Sequence, residues 1–120
     1  MSYDLAVWEG ERPADDAAAS QCFNDLYDRY VDADGPDIPP TERIAAYVAA
    51  LLERWPDLTE DEHDTSPWSA CPLIAEASGP LIYFPIRWSM VMETAVYAAQ
   101  LASSMGLNCY DPQNQCLIPE

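Results

Sequence analysis

The chain is 120 residues long, so one domain is expected, able to bury about two thirds of its surface without staples. Twenty-one acidic residues face five basic ones, none of them lysine, for a formal net charge of −16. That charge opposes binding to anionic membranes and to nucleic acid. A 49% hydrophobic and 11% aromatic content excludes global disorder, and no apolar run reaches the ~18 residues of a membrane span.

Met1-Ser2-Tyr3-Asp4 has neither the basic nor the apolar region of a signal peptide, so the expected compartment is the cytoplasm. Residues 3–8 alternate Tyr3, Leu5 and Val7 with Asp4, Ala6 and Trp8, the period of a strand that Gly10 and Pro13 end. Asp15 or Asp16 can cap a first helix whose apolar stripe is Ala18, Cys22, Phe23, Leu26 and Tyr30. Residues 33–40 form a connector. Thr41 caps a second helix with the stripe Ile44, Tyr47, Val48, Leu51, Leu52 and Trp55, which Pro56 stops. A long acidic loop follows over 57–72, and loops of that length in small domains are often functional. Residues 73–77 and 81–88 predict a hairpin about Ser78-Gly79-Pro80. In its second strand Ile82, Phe84, Ile86 and Trp88 point one way, and Leu81, Tyr83 and Arg87 the other; Pro85 demands a bulge or a free edge. Ser89 caps a third helix running to Met105, with Val91, Ala95, Ala98, Leu101, Ala102 and Met105 inward and Gly106 as its stop. Residues 107–110 and 115–118 predict short strands about Asp111-Pro112-Gln113-Asn114. The order β-α-α-β-β-α-β predicts a single acidic α+β domain over 1–120. A single, mostly antiparallel sheet would carry about three helices packed on one face. Its other face would bear Asp4, Trp8, Tyr83 and Arg87, or be partly covered by the acidic loop.

Several constellations invite chemistry. Glu60-Asp61-Glu62-His63-Asp64 packs four carboxylates beside the only histidine, but adjacent residues rarely converge on one ion, and a solvated acidic loop accounts for them better. Asp32-Ala33-Asp34-Gly35-Pro36-Asp37 resembles part of a calcium loop, yet position 41 holds Thr where that loop needs Glu. No G-x-S-x-G, H-E-x-x-H or P-loop occurs, so neither a catalytic residue nor a metal or cofactor is expected. The four cysteines include no C-x-x-C pair and are expected as free thiols in a reducing compartment. The alternative is a disulfide: if residues 111–114 are the hairpin loop, Cys109 lies opposite Cys116. Trp55 and Trp88 fall on apolar stripes and are expected in the core, whereas Trp8 and Trp68 have no such assignment.

The acids are clustered. Ten of the 21 lie in two segments: Asp25, Asp28, Asp32, Asp34 and Asp37, then Asp57, Glu60, Asp61, Glu62 and Asp64. Clustering favours a directed field over general solvation. These ten residues are the candidate partner-binding set, with Trp68 as anchor and Trp8, Tyr83 and Arg87 on the open sheet face.

Met1-Ser2-Tyr3-Asp4-Leu5-Ala6-Val7-Trp8, the Ala-rich third helix and Gly106-Leu107-Asn108-Cys109-Tyr110-Asp111-Pro112-Gln113 resemble a group of small acidic bacterial proteins. Similar chains occur among the immunity proteins of polymorphic toxin systems. The likeness spans most of the length, and its motifs are structural. It implies a cytoplasmic inhibitor that binds and neutralises a cognate toxin; it carries over no binding residues. With the charge it predicts a basic protein partner, in first place a nuclease domain whose active site is occluded, and neither nucleic acid nor membrane. The alternatives are a nucleic-acid mimic that inhibits a DNA-binding protein, and a small hydrolase or metal-dependent enzyme using the His63 loop.

Overall fold

In a computed structural model, residues 2–31, 38–55, 67–68 and 73–118 are described. They form an α+β fold: one five-stranded antiparallel sheet and three α-helices, as the patterns predict. The strands are β1 (Ser2–Trp8), β2 (Ala77–Ser78), β3 (Leu81–Arg87), β4 (Asn108–Asp111) and β5 (Cys116–Leu117), in the order β2-β3-β1-β4-β5. The N-terminal strand is therefore central, paired with β3 over its whole length and with β4 over Ala6–Trp8.

A central strand buries both faces, and β1 does. Leu5 and Val7 join the main core with Ile82, Phe84 and Ile86 of β3, under α2 (Glu42–Arg54) and α3 (Val91–Ser104). Ala6 and Trp8 face the other way, into a second cluster with Leu81, Tyr110 and Ala19 of α1 (Asp16–Leu26). The expectation that all helices pack on one face is thus corrected. Helix α1 covers the opposite face, because Ala6, Trp8, Leu81 and Tyr110 give that face an apolar end of its own.

The caps follow the sequence closely. Asp15 accepts from Ala18 N at 2.8 Å, and Thr41 from Ile44 N at 3.3 Å. Along α2, Ile44, Tyr47, Val48 and Leu51 are buried, and Trp55 closes the helix in the core. At the end of α3, Gly106 sits at φ +73 with its N–H on Ser103 O and that of Leu107 on Ala102 O, a Schellman stop.

Four local expectations change. Ala19, not Ala18, is the buried alanine of α1. Leu73–Glu76 is a 3-10 turn rather than a strand, and β2 is two residues long. The strand stops at Arg87; Trp88–Met90 is a 3-10 turn that breaks the alternation and leaves Trp88 54% exposed, not in the core. Met90, with no capping side chain, takes the N-cap position of α3 in place of Ser89.

The last hairpin is shifted as well. Tyr110 pairs with Leu117 and Asp111 with Cys116, so the loop is 112–115 and Cys109 faces Ile118. Asp111 sets this register: its Oδ1 accepts the backbone N–H groups of Gln113 (3.0 Å) and Asn114 (3.3 Å), closing the turn from its first position. Cys22, Cys109 and Cys116 are free thiols, and the Cys109–Cys116 bridge is absent. Cys71 lies outside the described residues.

Candidate site on the α1 face of the sheet

Two expected tryptophan contacts are corrected by burial. Trp68 is 0% exposed. Its ring lies edge-on to Trp55 (6.0 Å) and Phe84 (5.9 Å), and its Nε1–H donates to Trp55 O at 3.2 Å. It pairs as an isolated bridge with Ile86, and Arg87 N donates to Pro67 O, so this short segment lines the edge of β3 beyond β2. Backbone N–H groups two residues apart point the same way along a strand, so Pro85 turns its missing donor to that edge too. Trp8 is 1% exposed beneath α1, its ring 5.9 Å from Tyr110. Neither indole can meet a partner.

Tyr83 and Arg87 are half-buried on the α1 side of β3, with Asp4 of β1 on the same face. Helix α1 covers the Trp8 end of that face. It then continues into a π-helical turn, Tyr27–Val31. Widened turns of this kind re-aim side chains and recur at functional sites. Here Phe23 stacks on Tyr83 at 5.5 Å and 26°, while Tyr27 meets the same ring edge-on at 5.8 Å. Tyr30, from the same turn, packs against Gly79 of the β2–β3 turn. Asp25 and Asp28 stand exposed on the helix and turn that supply these rings.

Below the rings lies a carboxylate pair. Tyr83 Oη donates to Asp4 Oδ2 at 3.1 Å. Burial, then the Asp4 charge, push the Tyr83 hydroxyl up to about 12. Burial, and after it Asp4, also raise the Glu76 carboxyl. Glu76 precedes Ala77, which pairs with Ile82, so it lies in the row of Tyr83. The Asp4 backbone is held by Gln113, whose Oε1 accepts from Asp4 N (2.6 Å) and whose Nε2 donates to Asp4 O (2.8 Å). Gln113 thereby extends the sheet ladder where β4 no longer pairs with β1.

The result is a half-exposed patch of Tyr27, Tyr83, Asp4 and Glu76, with Arg87 further along the same face of β3. Ring faces and carboxylates both attract a cation. Among the described residues no three His, Cys, Asp or Glu side chains converge as metal ligands. Of the predicted partner set, Tyr83 and Arg87 share this face of β3, while Asp25 and Asp28 are exposed on the helix and turn above it. Asp32, Asp34, Asp37, Asp57, Glu60, Asp61, Glu62 and Asp64 lie outside the described residues, as does His63. The sequence does not single out Tyr27 or Glu76; Glu76 reaches the row of Tyr83 because Ala77 pairs with Ile82, one residue off the register that a turn over 78–80 predicts.

An antiparallel sheet clothed by helices on both faces is the class this chain defines. It matches no protein-family model, no curated protein and no solved structure.

Proposed function

We propose that the protein is an immunity-type inhibitor, which binds a basic toxin domain, in first place a nuclease, and blocks its active site. The observation that carries this reading is the α1-face patch, where two tyrosines and two carboxylates share a half-buried surface under the helix and turn that carry the exposed Asp25 and Asp28. An arginine of the partner can lie on the Tyr27 ring and meet Asp4 or Glu76 in a charge-assisted hydrogen bond. A nuclease groove is positive because it holds phosphates, and clustered carboxylates can take their place. The net charge of −16 then acts at longer range, steering association.

The gene neighbourhood supplies the test. A toxin domain encoded beside this chain is purified, and its nuclease activity is titrated with inhibitor. Activity should fall stoichiometrically. The triple variant Tyr83→Ala, Asp25→Lys, Asp28→Lys should lose most of that inhibition. A neighbouring domain that stays fully active, or that the triple variant inhibits equally, would overturn the reading.

A further inference from the structure

Helix α3 has a second side that the inhibitor reading does not use. Thr94, Ala98 and Ala102 bury its inner side. Its outer side exposes Met92 by 83% and Val96 by 57%. Beside them runs a groove of about 600 Å³ lined by Ala95, Val96, Ala99, Gln100, Ser103 and Ile118. The helix carries one charged residue, Glu93, and Arg54 of α2 engages it at 3.2 Å. Both side chains of that pair are exposed, Glu93 by 65%, so in a chain of net charge −16 the outer face is an apolar strip edged by one balanced ion pair.

We propose that the outer face of α3 is a self-association surface whose occupant is the same face of a second copy of this chain. Charge selects that occupant. Two copies of so acidic a protein repel wherever their unpaired carboxylates meet, so an isologous contact is favoured where both present none unpaired. A basic partner, by contrast, finds no free carboxylate on this helix to complement. The small residues Ala95, Ala99 and Ser103 recur every four positions, a spacing that lets two helices approach to about 8–10 Å. Met92 and Val96 of each copy then cover the groove of the other. Because this helix lies on the opposite side of the sheet from α1, both cation-binding patches stay open in the dimer.

The inference goes beyond the inhibitor reading and does not rest on it. Sedimentation equilibrium of the full chain, at low and high salt, tests it. A reversible dimer is expected that tightens as salt screens the repulsion between copies. Met92→Glu and Val96→Glu should each weaken it by about tenfold or more. Both positions are exposed, so the monomers should keep the wild-type circular dichroism spectrum. Asp25→Lys, on the far face, should leave the dimer intact. A monomer at every salt and concentration would overturn the proposal. So would a dimer that ignores both glutamate variants, or a monomer that uses this face to bind vesicles or a different protein.

Discussion

Asp111 is a buried carboxylate held by hydrogen bonds at both oxygens. It is 5% exposed, and its carboxylate accepts from Tyr3 Oη, from Gln113 Nε2 at 2.7 Å and from Asn114 Nδ2 at 2.8 Å, besides the two turn amides. Burial alone would raise its pKa; the hydrogen bonds from Tyr3, Asn114 and Gln113 outweigh burial and hold it below the usual carboxylate range. A depressed folded pKa contributes stability above the unfolded pKa that is lost as pH falls through the folded value. Lowering pH also discharges the other acids and relieves repulsion, so the comparison that isolates the group is wild type against Asp111→Asn. Their difference in unfolding free energy should shrink as pH drops below the carboxylate range. At neutral pH, Asp111→Ala should cost about 2–3 kcal/mol in urea denaturation, because it strands several donors at once. Trp68→Ala should likewise act on stability, costing about 3–5 kcal/mol, since the indole fills the core between Trp55 and Phe84. An unchanged urea midpoint in Trp68→Ala would sink that assignment. This burial was hidden from the sequence: Trp68 belongs to no periodic segment, and the bridge to Ile86 and the indole's bond to Trp55 O that hold it in the core have no sequence period. Trp8 was hidden differently. Its alternation with Val7 was plain, but which face α1 would cover was not.

Among elements, legibility followed periodicity. Helix α2 has a full stripe, a Thr cap and no competing pattern, and it forms as read. So do β1, β3 and α3 in their interiors. Misreadings arose where one side chain or one short contact decides. Asp111 moved the last hairpin by recruiting turn amides, and Leu73–Glu76 curls into a 3-10 turn before a two-residue strand. The candidate site was legible only in pieces: Tyr83 and Arg87 fell on the correct face, but the π-helical turn that brings Tyr27 to Tyr83 has no sequence period. The β2–β3 turn shows how such elements are tied together. Gly79 O accepts from Thr41 N at 2.9 Å, and Gly79 N donates to Pro39 O, so the turn grips the start of α2. Gly79 has φ +55, and a Cβ there would lie 2.6 Å from the Tyr30 ring. Gly79→Ala should therefore cost at least about 1–2 kcal/mol from the left-handed backbone alone. It should also perturb the π-helical turn through Tyr30, visible as shifted amide resonances over residues 27–31. A variant as stable as wild type, with those resonances unmoved, would show that the turn does not depend on this contact.

At the scale of the whole molecule, charge sets stability against association. Within the described residues, Arg43 meets Glu9 at 3.7 Å and Arg54 meets Glu93, but five arginines cannot balance 21 acids. The folded chain repels itself more than the unfolded one, so salt should raise its thermal midpoint by screening. The same salt should slow association with a basic partner, because exposed charges act mainly through steering. Asp25→Lys with Asp28→Lys separates the two effects. Both residues are exposed, and Asp25 gives up only a hydrogen bond from Gln21 at 3.0 Å. Removing negative charge there should leave the thermal midpoint unchanged or raise it slightly. It should also lower the association rate with the proposed basic partner and flatten its dependence on salt. Reversing Glu60, Asp61 and Asp64 to Lys should act in the same direction if the second acidic cluster shares in steering. Stopped-flow association measured across a salt series, beside melts of the same variants, reads both quantities. An association rate insensitive to salt and to these reversals, with the predicted gain in stability intact, would mean that the acids keep the chain soluble and monomeric in dilute salt and take no part in capture.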